Sequence, residues 1–359
     1  MKADAVGRTA EAGTAGRNLV QAADHNLRIT LEAIRRGGPL ARSDLARLTG
    51  LSEPGVGNIL KQLLAGGLVA KAGRAGRAAG FGLAENAAFG LGIDLPGERA
   101  ATAVVVDLRG RVRLRRRFDV EDRREVEELR DAVLACIGTE RDRLAGCGVA
   151  LGEGVSLSAM PCLEPLLAAS PETFILRDTD AASLGELHFG MPEDGSFATV
   201  FIDRTVRAGF VIEGRLFRGV RGRAGRLGRM HVDGDGSPLD AVAGAGAMPG
   251  FPFAEAAPGI LDAGWRAWLD RAALPLMDAV VAVAGFLGPA AVFVGGRLPE
   301  AVLAAIADRL NEERARRVGH PEQPFWLPWI APATLAEDGA AMGAAAATFF
   351  SRLLPDPRR

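Results

Sequence analysis

The sequence predicts an α/β protein in which a small winged helix-turn-helix domain precedes a larger domain of two lobes. Three observations predict it. Two short amphipathic helices are joined by a glycine near the N-terminus, a series of apolar strands and helices occurs twice in the remainder, and the length of 359 residues exceeds what one small core needs. The expected organisation is a disordered leader at residues 1–18, the helix-turn-helix domain at 19–84 and the larger domain at 88–359.

Residues 43–68 predict the helix-turn-helix. Ser43 is expected to cap a short helix that ends at Gly50, and Ser52 is expected to cap the helix that follows. Apolar residues recur in that second helix at three- and four-residue spacing, which predicts a buried stripe formed by Val56, Ile59, Leu60, Leu63 and Leu64. The opposite, exposed face would then carry Pro54, Gly57, Asn58 and Lys61. Such a face suits the major groove of DNA, whereas the alternative is an ordinary helical hairpin.

Two short strands, at residues 68–70 and 81–83, flank a basic turn and predict the wing of a winged helix. In the turn, Arg74 and Arg77 suit contacts with phosphate or with a narrow minor groove, and Asn58 on the second helix suits adenine. The residues predicted to contact DNA are Ser43, Ser52, Pro54, Gly57, Asn58, Lys61, Arg74 and Arg77.

Charge and composition agree with this interpretation. Residues 1–83 carry 12 Lys and Arg against 6 Asp and Glu, although the whole chain has a net charge of -1. The basic excess therefore lies at the end that is predicted to approach phosphates. Three unclustered cysteines indicate a reducing cytoplasm, and no apolar run is long enough to span a membrane. We expect a cytoplasmic protein.

The first part of the larger domain predicts one sheet with helices. Three strands between residues 91 and 120 are followed by a helix, a buried strand at 148–152 and a strand that ends in Arg177-Asp178-Thr179-Asp180 before another helix. This order resembles one half of an actin-like, ribonuclease H-like fold of the sugar-kinase type. The first lobe is expected to span about 88–190, together with the C-terminal helix.

The pattern begins again at residue 198 and predicts a second lobe of about 191–340. It includes a strand at 291–296 and an expected buried strand at 324–332. The alanine-rich helix expected at 336–352 has small side chains that permit close packing against its neighbours.

The arrangement as a whole resembles the ROK family, which groups bacterial repressors with sugar kinases. The matching stretches are LSEPGVGNILKQLLAGGLV (recognition helix), GIDLPGERAATAVVVDLRGRV (first phosphate hairpin), RDTDAASLGE (turn with the catalytic aspartate), GRLFRGVRGRAGRLGRM (signature loop), and FVGG and EDGAAMGAAAA (second lobe). The repressor members place a winged helix before a two-lobed actin-like domain. The resemblance therefore implies either gene regulation or sugar phosphorylation.

The phosphate-binding turns depart from the kinase pattern. Where family kinases have Gly-Gly-Thr, this chain has Pro96-Gly97-Glu98, which lacks one backbone donor and adds a charge that repels phosphate. The second phosphate turn, at residues 203–209, is not glycine-rich. The resemblance places Asp178 at the general base, and the alternative role for Asp178 is a helix N-cap. We expect no kinase activity, no enzyme function and no cofactor.

The zinc and sugar positions differ as well. The family's closely spaced zinc-binding cysteines are absent, Arg229 replaces the histidine, and His231 alone cannot hold zinc, so we expect no metal. Arg177, Arg226 and Arg229 stand where the family binds sugar hydroxyls. One hypothesis is a sugar-acid or sugar-phosphate effector bound by Arg177, Asp178, Arg226 and Arg229, because clustered guanidiniums need an anion. The other is that these arginines pair internally or face solvent.

The sequence favours a homodimeric, cytoplasmic transcriptional regulator, in which a sugar-like effector controls repression of sugar-metabolism genes. Its partner would be a double-stranded DNA operator, whose two half-sites match a dimer. One alternative is a ROK-type sugar kinase with an appended helix-turn-helix. Another is a non-catalytic scaffold that binds protein.

Overall fold

A computed structural model describes residues 19–73, 80–138, 141–190, 195–232, 236–248, 263–317 and 326–358. The expected leader at residues 1–18 and the two wing arginines, Arg74 and Arg77, lie outside the described residues. The chain divides into two compact units, residues 1–83 and 84–359.

The first unit is a helix-turn-helix followed by a small sheet. Its elements are α1 (Leu19–Gly37), α2 (Arg42–Thr49), α3 (Glu53–Ala65), β1 (Val69–Ala72) and β2 (Gly80–Leu83). β1 and β2 pair antiparallel, and Leu40 bridges to Phe81 beside them. The side chains that pack the three helices together are fully buried and are Leu31, Ile34, Leu45, Val56, Leu60 and Leu63. The helices and the strand pair therefore have the arrangement of a winged helix.

The helix ends of this unit confirm two of the three ends predicted from the sequence, at Gly50 and Ser52 but not at Ser43. Gly50 ends α2 with φ 69°, in the left-handed region that favours glycine. Ser52 caps α3, because its Oγ accepts a hydrogen bond from the Gly55 amide at 3.3 Å. The expectation that Ser43 caps α2 is wrong. Ala41 holds that position without any side-chain cap, since the helix begins two residues earlier than the sequence suggested.

The expectation that Gly57 lies on the exposed face of α3 is also wrong. Gly57 is buried, whereas Pro54, Asn58 and Lys61 are exposed. A β carbon added at Gly57 would lie 3.5 Å from Cζ of Arg42, so this part of α3 is covered by a side chain from α2. Contact between the helices, which helical spacing alone does not report, decides the burial of Gly57.

The second unit contains two five-stranded sheets. The first comprises β3 (Phe89–Leu95), β4 (Ala100–Asp107), β5 (Val112–Asp119), β6 (Leu144–Leu151) and β7 (Thr173–Arg177), in the order β5-β4-β3-β6-β7. β3, β4 and β5 pair antiparallel, and β3, β6 and β7 pair parallel. The helices α4 (Arg123–Ile137), α5 (Glu164–Ala168) and α6 (Asp178–Gly185) belong to the same lobe.

The second sheet has the corresponding arrangement. It comprises β8 (Phe197–Ile202), β9 (Val206–Ile212), β10 (Arg215–Phe217), β11 (Ala291–Gly296) and β12 (Trp329–Pro332), in the order β10-β9-β8-β11-β12. Its helices are α7 (Leu239–Ala243), α8 (Ala263–Leu287) and α9 (Glu300–Arg317). Trp265 and Trp268 of α8 are buried in the core, with ring centroids 5.5 Å apart. The buried strand expected at 324–332 is wrong in extent. Of its described residues, 326–332, only Trp329–Pro332 form a strand, at the sheet edge, where Trp329 is 60% exposed.

The last helix, α10 (Gly339–Arg352), returns to the first lobe and packs on β3, β6 and α6. A β carbon at Gly343 would lie 1.6 Å from the Ala181 carbonyl oxygen, and one at Gly148 would lie 1.8 Å from that of Ala344. The expectation that small residues permit close packing here is confirmed. Among the described helices, none is both long and apolar enough to cross a membrane.

Candidate functional site

Four charged residues follow or end strands of the two sheets in the second unit. Asp94 lies near the end of β3, Asp178 directly follows β7, Asp203 follows β8, and Arg297 follows β11. All four of these strands pair parallel with a neighbour, and ligand sites in α/β folds form at the carboxyl ends of such strands. The topology therefore brings these four residues to the cleft in which a site is expected.

Arg297 bridges three carboxylates in this cleft. Its Nε and Nη2 donate to Asp94 at 2.8 and 2.6 Å, Nη2 also donates to Asp178 at 3.1 Å, and Nη1 donates to Asp203. Its side chain is 15% exposed. One guanidinium thus joins elements of both lobes, with the bidentate geometry that makes arginine–carboxylate pairs strong.

Asp178 is held by a second arginine as well. Arg207 donates to its two carboxylate oxygens at 2.5 and 2.9 Å, and the Thr179 amide donates to Oδ1 at 2.8 Å. Asp178 is fully buried and is the first residue of α6, and Arg177 occupies the N-cap position. The alternative role of Asp178 as a helix N-cap is therefore wrong. Its carboxylate is an acceptor in an ion-pair cluster.

Burial and ion pairing have opposite effects on the charged groups of the cluster. Burial by itself disfavours the Arg297 cation, but the carboxylates of Asp94, Asp178 and Asp203 outweigh this effect and raise the pKa of Arg297. Burial raises the pKa of Asp94 despite the attraction of Arg297. Each oxygen of Asp94 accepts a separate N–H from Arg297, which opposes part of this effect of burial. Three aspartates and two arginines leave the cluster with one net negative charge.

The turn at Pro96-Gly97-Glu98 and the turn at residues 203–209 contact each other. Glu98 of the first turn forms a salt bridge with Arg204 of the second. The pair is largely exposed, so it contributes little to stability. Its position nevertheless shows that the side chains of both turns are engaged with protein groups.

A cavity of about 590 Å³ lies beside the cluster. Its charged lining residues are Glu153, Arg177, Asp180, Arg207, Arg218 and Arg226. Of the residues predicted to bind an effector, Arg177 and Arg226 line the cavity, whereas Asp178 and Arg229 do not. Asp178 is fully buried in the ion-pair cluster, and Arg229 is exposed to solvent.

Arg177 is largely occupied by protein groups. Its Nε and Nη2 donate to Asp180 at 3.1 and 2.6 Å, and Nη1 donates to the carbonyl oxygens of Gly222 and Ala224. Arg218 Nε lies 3.0 Å from the same Asp180 carboxylate. Arg177 therefore ties the signature loop to the first lobe, in agreement with the hypothesis of internal pairing for this one arginine.

The exposed face of the helix-turn-helix carries polar and basic groups. Ser52, Pro54, Asn58 and Lys61 are exposed on α3 or at its start, and Ser43 is exposed on α2. Arg42 is not among the residues predicted from the sequence to contact DNA, but it is exposed and extends beside α3 at Gly57. The position of Arg42 along α2 does not indicate this contact, because the side chain reaches α3 only through the packing of the two helices.

The cysteines and His231 of this chain do not fit a zinc site like that of the ROK family. Cys136, Cys147 and Cys162 all belong to the first lobe, whereas His231 and Arg229 lie in the segment after β10. His231 therefore has no thiolate near it in sequence or on its own sheet.

Two ribonuclease H-like lobes with a charged cleft at their strand ends define a protein of the actin-like class. No family model matches the chain. It is 25% identical over 361 residues to the uncharacterized protein y4fQ of Sinorhizobium fredii, covering 90% of this chain and 91% of that protein. It is 29% identical over 194 residues to the bifunctional enzyme NanE/NanK of Brucella melitensis, covering 49% of this chain and 36% of that enzyme.

Comparison with solved structures identifies the fold more closely. A ROK family transcriptional regulator, a homologue of the Escherichia coli MLC protein, superposes with a TM-score of 0.66 at 18% identity, covering 91% of this chain and 97% of that one. A ROK family glucokinase from Streptomyces griseus superposes with a TM-score of 0.52 at 18% identity, covering 72% and 98%. The fold is therefore that of ROK proteins. The match to the regulator covers 91% of this chain, which is more than residues 84–359 alone could supply. The likeness of fold therefore extends into the helix-turn-helix unit.

Proposed function

We propose that the protein is a DNA-binding transcriptional regulator of the ROK family that represses sugar-metabolism genes. The observation that carries the proposal is the winged-helix arrangement of the first unit, with Asn58 and Lys61 exposed on the second helix of the motif. An exposed polar and basic helix face of this kind suits the major groove. The likeness of fold to a ROK regulator over most of the chain supports the same function.

The ion-pair cluster supports a regulator without kinase activity. A phosphoryl donor bound between the two turns would meet three buried aspartates in a cluster of net negative charge, which repels phosphate. The residue that aligns with a general base, Asp178, already accepts hydrogen bonds from two arginines. Phosphate transfer would require the cluster to open first.

An effector would act through the cavity of the second unit. Its volume lies in the range of small-molecule sites, and Arg177 and Arg226 are on its wall. An effector alters DNA binding only if it binds the DNA-competent and the released states with different affinities. The proposal includes a homodimer that binds two half-sites of an operator, and a cytoplasmic location.

The test is fluorescence anisotropy of the full-length protein with its own promoter DNA, at low and at physiological salt. We expect specific binding that weakens with salt, and further weakening in Lys61→Ala, Arg42→Ala, Arg74→Ala and Arg77→Ala. Arg117→Ala is the matched control, because it removes one exposed arginine from the other unit. Affinity equal to that for random DNA would exclude the proposal and favour a protein-binding scaffold.

A further inference from the structure

The cavity of the second unit has an excess of positive charge. Four arginines and two acidic residues line it. One of the four, Arg207, is neutralised by the carboxylate of Asp178, to which it donates at 2.5 and 2.9 Å. Asp178 is buried and does not line the cavity. The remaining three arginines share the two acidic residues, Asp180 and Glu153.

Asp180 and Glu153 do not neutralise the positive charge of the residues that line the cavity. Asp180 is shared by Arg177 and Arg218, so this trio keeps one positive charge. Arg226 forms no ion pair with any residue that the structure describes. Glu153 is exposed and contacts the hydroxyl of Thr205 at 3.4 Å. Glu153 is therefore free to accept a hydrogen bond from a ligand.

Arg218 and Arg226 have guanidinium N–H groups that can donate hydrogen bonds to a ligand. Arg218 approaches Asp180 through Nε, and its two terminal amino groups donate to none of the described residues. Arg226 likewise donates to no described side chain or carbonyl group. Arginine donors of this kind bind carboxylate and phosphate groups in preference to neutral groups, because the hydrogen bonds are charge-assisted.

We infer that the cavity binds a small polyhydroxy anion, a sugar that carries one carboxylate or one phosphate group. The anionic group contacts Arg218 and Arg226, and sugar hydroxyls donate to Glu153 and Asp180. The volume of about 590 Å³ accommodates a monosaccharide derivative and exceeds what a bare inorganic ion fills. This inference rests on the proposed function in one respect, that binding of the anion controls the DNA affinity.

The experiment is isothermal titration calorimetry of the full-length protein with four probes: D-gluconate, D-glucose 6-phosphate, D-glucose and inorganic phosphate. We expect one of the two anionic sugars to bind at least about tenfold more tightly than both D-glucose and inorganic phosphate. Which anionic sugar binds distinguishes a carboxylate ligand from a phosphate ligand. Arg226→Gln and Arg218→Gln should each weaken that binding about tenfold or more.

Arg229→Gln is the matched control, since Arg229 lies in the same loop, is exposed and does not line the cavity. It should leave the affinity unchanged. Equal losses in Arg226→Gln and Arg229→Gln, equal binding of D-glucose, or no binding of either anionic sugar would overturn the inference. Anisotropy on the same samples separates the two proposals. Anion binding without DNA binding would remove only the proposed function, and DNA binding without anion binding would remove only this inference.

Discussion

Arg297 Nη2 of the second lobe lies 3.1 Å from Asp178 Oδ2 of the first lobe. The same guanidinium also binds Asp94 and Asp203, so a single side chain joins the carboxyl ends of strands in both sheets. In this fold the cleft between the lobes is where a ligand is expected, and here protein charges occupy part of it. Both the stability and the chemistry of the cleft should therefore depend on Arg297.

Removal of Arg297 should destabilise the second unit strongly. Arg297→Ala leaves Arg207 as the close cation of Asp178 and Asp203 and removes the arginine that pairs with Asp94. Breaking a buried ion pair costs about 3–5 kcal/mol. Chemical denaturation followed by tryptophan fluorescence measures the loss. Arg204→Ala breaks the exposed pair with Glu98 and should cost less than about 1 kcal/mol. Similar losses in the two variants would contradict the role assigned to the cluster.

The protein should not phosphorylate sugars with ATP. The wild-type chain and Asp178→Asn are expected to give the same background rate in a coupled assay with a panel of neutral hexoses, because Asp178 is paired with two arginines and cannot act as a free base. A wild-type rate well above that of Asp178→Asn would establish the sugar-kinase alternative instead.

Gly57→Ala should stabilise the helix-turn-helix unit. Alanine gains about 1 kcal/mol of helix propensity over glycine, and its methyl group would lie at ordinary contact distance, 3.5 Å, from the Arg42 guanidinium. Differential scanning calorimetry of the full chain measures the change. Because Gly57 is buried, DNA affinity should stay within about twofold, whereas Lys61→Ala lowers it. A large loss of affinity in Gly57→Ala would place this residue on the DNA-contacting face after all.

The first unit should lose stability in acid through Glu32. Burial raises the pKa of Glu32, but hydrogen bonds and attraction from Arg35 and Arg36 outweigh it, so the net pKa is lowered. The contribution is therefore present above the pKa of the unfolded chain and is lost as the pH falls through the folded pKa.

Glu32→Gln should destabilise the first unit by about 1 kcal/mol at pH 7, and this difference should shrink as the pH falls through the folded pKa of Glu32 and the wild-type carboxylate becomes protonated. Thermal unfolding of both proteins at pH 7 and over a series of acid pH values measures this. Asp24→Asn, which removes an exposed carboxylate from the same helix, serves as the control. A difference between Glu32→Gln and wild type that stays constant with pH would exclude ionisation as its cause.

The amino-acid sequence by itself determined the local features: the end of α2 at Gly50, the cap at Ser52, the strand at Ala291–Gly296 and the two-lobed succession of elements. These follow from backbone preferences and periodic apolar residues, which act over a few positions. The order of the motifs carried the resemblance to ROK proteins, which the fold confirms.

Only the tertiary structure decided the site. Asp94 and Arg297 are 203 residues apart in sequence, and Gly57 is buried by a side chain from another helix. The difference between Arg226, which lines the cavity, and Arg229, which does not, lies in the path of one loop. Such contacts depend on how distant strands and helices pack, and residue spacing along the chain contains no measure of that distance.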